Sequence, residues 1–168
     1  KEGWPERVRS YSINIYAGGW SGWPFNGDQM WQIYRQQSDF RDPANRFVLM
    51  DMDDESINAG NYRVDMAGWP NKPNLYSFRQ DWPASWHNNG RTISFADGHA
   101  ERKKWLLDDT LQVGFNPHQG SGIKNSPRNP DIAWMQERAT RPDPGWQENK
   151  WAQQWTGALH LRPWQWWG

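Results

Sequence analysis

The pair Asp97-Gly98 constrains this chain more than any other feature. It stands between two runs of strand character, Arg91-Thr92-Ile93-Ser94-Phe95-Ala96 and His99-Ala100-Glu101-Arg102-Lys103-Lys104-Trp105. An Asp-Gly pair in that setting signals a hairpin, because a type I′ turn needs positive φ at both central positions and Gly supplies it without steric cost. The expected fold is therefore built around an antiparallel bend at residues 97 and 98, with Ile93 and Phe95 on one face of the first arm.

Other segments fill in the frame. Arg46-Phe47-Val48-Leu49-Met50-Asp51-Met52 is a short apolar run bounded by turn residues, which fits a buried central strand. Val8 to Tyr16 alternates, with Tyr11, Ile13 and Ile15 on one face and Val8, Ser10, Ser12 and Asn14 on the other. Tyr62 to Met66 alternates again. Asp28 is placed to cap a helix over Gln29 to Gln37, and Asp42-Pro43 ends that region. Asn129, with Pro130 in the first turn behind it, opens a helix running to about Ala139. Phe115 to Pro130 reads as irregular loop. The pattern predicts an α+β fold: an antiparallel sheet of about four strands with short helices and long Trp-rich loops. This head spans residues 1–141, and a Trp-rich extension follows over 142–168.

Composition removes several function classes. Lys and Arg total 19 and Asp and Glu total 19, so no bulk field draws the 168-residue chain to nucleic acid. No stretch approaches the ~18 apolar residues of a membrane span, so no membrane contact is expected of the chain as given. Cysteine is absent, which excludes disulfides, thiolate zinc and a Cys nucleophile but leaves the compartment open.

Three segments together resemble a known family. His87, nine residues and then Asp97-Gly98 match the H-X9-DG motif of prepilin-like proteins abundant in planctomycete and verrucomicrobial bacteria. Phe47 to Gly60 is similar to the strand and acidic turn those proteins carry upstream, and Asn129-Pro130-Asp131-Ile132-Ala133-Trp134 fits their C-terminal part. The resemblance spans about Arg7 to Arg141. It implies a type IV pilin or type II secretion pseudopilin-like protein, whose precursors begin with a basic leader and a long apolar helix. On that expectation the chain is the exported globular head. It would be non-enzymatic, placed outside the cell or on its surface, with other pilin-like subunits or a secretion system as partners.

The residues also carry chemistry of their own. His87 and Asp97 sit at the two ends of one predicted strand. They serve either as loop ties or, with His99 and Glu101, as a metal or acid–base group. Asp51, Asp53, Asp54 and Glu55 crowd four carboxylates into five residues. Such a turn is either solvated or offset by a cation, and Ca2+ prefers clustered oxygens of this kind; no other cofactor is expected. Were the chain a glycoside hydrolase, its acids would come from Asp97, Glu101, Asp51 and Asp53, since that chemistry needs two carboxyls about 5–9 Å apart.

The chain holds 15 Trp, more than a core this size readily absorbs. Trp20, Trp23, Trp69, Trp82 and Trp86 fall in Gly-, Pro- and Asn-rich loops, where exposed flat rings could stack on the sugars of a polysaccharide. The competing account is that Trp-Pro pairs such as Trp69-Pro70 and Trp82-Pro83 pin loops down in place of aliphatic core.

Overall fold

The computed structural model describes residues 10–19, 31–57, 60–111 and 122–143. Strands β1 (Tyr11–Asn14), β2 (Phe47–Asp51), β3 (Asn61–Tyr62), β5 (Gly90–Phe95) and β6 (Ala100–Lys104) form one sheet in the order β3-β1-β2-β5-β6. Between them in sequence, β4 (Ser77–Arg79) pairs antiparallel with β7 (Ile123–Asn125) in a separate two-stranded ribbon. Among the described residues a single-turn helix α1 (Asp108–Leu111) follows β6 and the longer α2 (Pro130–Ala139) follows β7. The fold is α+β. The sheet has five strands rather than about four, and it is mixed, because β3 runs parallel to β1.

The apolar run at 47–51 is the central strand, with Phe47 and Met50 buried. The hairpin forms where expected, with Arg91 opposite Lys103 and Ile93 opposite Glu101. Its turn differs from the type I′ expectation. Gly98 N–H donates to the Phe95 carbonyl at 3.0 Å and Phe95 N–H to that of His99 at 2.9 Å. Of residues 96–98 only Gly98 has positive φ, +95°. This is the three-residue connection closed by a left-handed glycine, which leaves Asp97 in an ordinary conformation. Consecutive left-handed residues occur instead at the far end of β5, at Asn88 (φ 51°) and Asn89 (φ 58°).

β1 turns its polar side inward. Ser12 and Asn14 are buried, whereas Tyr11 and Ile13 are 51% and 40% exposed. Hydrogen bonding decides the matter. Asn14 Nδ2 donates to the carbonyls of Phe47 at 3.0 Å and Ala139 at 2.9 Å, joining β2 to the end of α2. Ser12 Oγ donates to Met52 Sδ at 3.1 Å. A helix C-terminus packed against a sheet leaves carbonyls that need donors, and an aliphatic face could not supply them.

α2 begins as the sequence predicts. Asn129 Oδ1 accepts the N–H groups of Asp131 and Ile132, and Pro130 occupies the first turn, where its missing N–H costs nothing. Ile132, Met135 and Ala139 pack into the core. Buried Asp131 accepts from Leu106 N, Leu107 N and Thr110 Oγ1, fastening the exit of β6 to the start of α2.

Two expected elements do not form. Residues 31–36 of the expected helix are extended up to a 3-10 turn at Gln37–Asp39, and residues 28–30 lie outside the described residues. Tyr34 N–H donates to the Tyr16 carbonyl and Gly18 N–H to that of Tyr34. These tertiary partners replace helical ones, while the Tyr34 ring stacks on Phe40 at 4.3 Å. The alternating stretch at 62–66 pairs only through Asn61–Tyr62; beyond it Arg63 N–H donates to Asp81 Oδ2 at 2.6 Å rather than to a strand.

Candidate functional site

Cross-strand register assigns every side chain of the main sheet to a face. Met50 opposite Ile93 and Phe47 opposite Phe95 point toward α2. Tyr11 opposite Asp51, Ile13 opposite Leu49 and Leu49 opposite Ser94 point the other way. On that second face Tyr11 and Ile13 stay exposed. Alternation announces two faces of a strand; it does not say which one the core takes.

The motif residues His87 and Asp97 are not brought together. They stand beyond opposite ends of β5, whose six residues run roughly 20 Å. His87 Nε2 lies 3.4 Å from Asp51 Oδ2, and the same oxygen accepts Thr92 N–H at 3.1 Å. Asp97 Oδ1 lies 2.6 Å from His99 Nδ1 and also accepts His99 N–H, while the His99 ring stacks flat on Phe95 at 4.3 Å. Those contacts from His99, the side chain first, hold the Asp97 carboxyl below its usual range. Both pairs therefore brace the ends of one strand.

The four acids considered for glycosidic chemistry do not converge. Asp51 projects on the open face, whereas Glu101 sits opposite Ile93 on the helix side, near enough to act on the charge of Arg138 in α2. Asp97 is at the hairpin tip. Asp53 closes its own turn, its Oδ1 accepting Glu55 N–H at 3.0 Å and its backbone N–H donating to the Trp82 carbonyl. Asp54 and Glu55 point to solvent, and Asp51 is committed to Thr92 and His87. Among the described residues no group of three or more His, Asp or Glu is arranged to hold a metal ion.

Comparison of the chain with family models, curated proteins and solved structures returned no match.

The loop tryptophans divide sharply. Trp82, expected as a sugar platform, is 3% exposed; its ring packs on Phe78 at 4.2 Å and its Nε1 donates to the Thr110 carbonyl. The energy of burying so large a ring outweighs what an exposed loop position suggests. Trp69 is half-buried, donates to Glu137 Oε1 at 2.8 Å and meets Trp31 edge-on at 5.5 Å. The Trp-Pro pinning account describes both. Among the described residues of the expected set, Trp86 alone is exposed, at 48%. Trp20 and Trp23 lie outside the described residues, as does residues 144–168 of the Trp-rich extension.

Sequence reasoning missed a row of alternating rings and cations beneath the sheet. Arg91 lies over the rings of Tyr62 and Trp105, Lys103 reaches Trp105 and Trp134, and Arg138 lies over Trp134. The available signal was weak: Arg91 shares parity with Ile93 and Phe95, which placed a cation on the apolar side of its strand.

Proposed function

We propose that this chain is the globular head of a pilin- or pseudopilin-like subunit, working outside the cell through surface contacts rather than through bond chemistry. One observation carries it. The sheet has a packed side under α2 and an opposite side on which Tyr11 and Ile13 remain exposed, in register with Asp51 and Leu49. Apolar side chains presented on an otherwise hydrogen-bonded sheet mark a contact surface. The H-X9-DG resemblance supports the same role, and the dispersal of Asp51, Asp53, Asp97 and Glu101 favours binding over hydrolysis. The Asp51–Glu55 segment serves as a solvated acidic turn, and no cofactor is assigned; saturating Ca2+ or EDTA is then expected to leave the Tm unmoved.

The test is a photoreactive residue at Ile13, introduced into the protein in its native host. Crosslinks to pilin-like or secretion-system subunits are the expected result. The same substitution giving no crosslink to any such subunit, while the protein is exported and folded, would overturn the assignment.

A further inference from the structure

We infer that the corner formed by Trp86, His87 and Asp51 is a glycan-binding site that takes a neutral sugar ring of a polysaccharide or oligosaccharide. It does not depend on the pilin-like assignment. Six tryptophans are described, and five are packed into the molecule or engaged there. Trp86 is 48% exposed, and its indole N–H has no partner among the described residues. An exposed indole costs hydration free energy wherever it stands, and here it is carried on a turn closed by backbone hydrogen bonds. Asn88 N–H donates to the Trp86 carbonyl at 3.2 Å, and His87 N–H to that of Gly90 at 3.1 Å. Ala84 N–H donates to the Asp51 carbonyl at 3.2 Å, tying the approach to this turn onto β2. A turn already closed loses little backbone entropy on binding.

The neighbours select the ligand. His87 presents its Nε2 to Asp51 Oδ2 at 3.4 Å, which sets an imidazole and a carboxylate next to Trp86 in the chain. The His87 side chain is 52% exposed. Arg102 donates to the His87 carbonyl at 3.0 Å and stays exposed, and the carboxamides of Asn88 and Asn89 stand out in the turn. Tyr11, half exposed, is the cross-strand neighbour of Asp51 on the open face. A flat apolar ring surrounded by planar polar groups matches a sugar, which offers one face of C–H bonds and a rim of hydroxyls. A protein hot spot would instead ring the indole with aliphatic side chains that exclude water.

The experiment is affinity electrophoresis of the full chain in native gels containing, one at a time, hydroxyethylcellulose, xylan, galactomannan, β-1,3-glucan and glycol chitin. Retardation is expected in at least one gel. Trp86→Ala should weaken it by about tenfold or more, Trp86→Tyr should retain most of it, and His87→Ala should weaken it while circular dichroism stays unchanged. Leu106→Ser, which alters an exposed apolar residue elsewhere, should migrate as wild type. Free mobility in every gel would overturn the proposal. So would retardation that survives Trp86→Ala, since the sugar would then be held by other aromatic residues.

Discussion

The guanidinium of Arg91 lies 4.2 Å from the Trp105 ring and 5.3 Å from the Tyr62 ring, fully buried and with none of its three nitrogens hydrogen-bonded among the described residues. Desolvation brings its pKa down to about 10. That fall from the ordinary guanidinium range corresponds to about 3 kcal/mol against the charged form. Two desolvated cation–π contacts return an amount of similar order, about 2 kcal/mol each at most. The charge is therefore close to neutral for stability, and the bulk of the side chain is what the core needs.

Arg91→Met is accordingly expected to keep the Tm near or above wild type, because Met fills the space and its sulfur suits the two rings. Arg91→Ala should cost about 2–4 kcal/mol through the cavity it opens. Urea unfolding of both variants decides it: equal losses would mean that the charge itself matters.

The alkaline limb separates Arg91 from its neighbour. Burial raises the Tyr62 phenol well above 10, so its contribution is complete below pH 10 and is lost as pH climbs toward its folded value. Arg91 has the opposite sign: between about pH 10 and 12.5 the unfolded chain holds the extra proton, and stability rises with pH. Tyr62→Phe removes only the falling component. Its alkaline unfolding midpoint should lie above that of wild type, read by far-UV circular dichroism.

Asp97 sets an acid-side signature. Its carboxyl titrates below 3.8 because His99 donates to its charged form. The stabilisation it gives is present above that ordinary value and disappears as pH falls through the depressed one. The gap in urea midpoint between wild type and Asp97→Ala should narrow from pH 5 to pH 2. A gap that stays constant would show that the pair contributes nothing through its charge.

Two glycines of the hairpin differ in what they forbid. Gly98 has φ +95° with open space around it, so Gly98→Ala meets only the left-handed penalty, about 1–2 kcal/mol. A methyl group at Gly90 would run into the backbone carbonyl of Lys103 across the ladder, where no rotamer change relieves it. Gly90→Ala should be the more damaging of the two. The reverse order in thermal unfolding would contradict the packing of β5 on β6.

Asn14→Leu preserves size and removes the donors to the Phe47 and Ala139 carbonyls, both at a buried position. A loss of about 3 kcal/mol is expected, since each buried carbonyl left unpaired costs about 1–3 kcal/mol. Unchanged stability would mean that α2 does not rely on β1 for its C-terminal cap.

Local chemistry alone determined the pieces whose signals need no distant partner. These are the bend at Asp97-Gly98, the central run at Phe47–Asp51, and the cap of α2 by Asn129 with Pro130 behind it. Tertiary structure decided the rest. The extended course of Trp31–Gln36 follows from backbone partners at Tyr16 and Gly18, the inward turn of Asn14 from the unpaired carbonyls of a helix far along the chain, and the burial of Trp82 from space beside Phe78. The separation of His87 from Asp97 and the exposure of Trp86 belong here too. A strand's period fixes which residues share a face, but the donors, acceptors and volumes that make one face the interior come from segments remote in sequence.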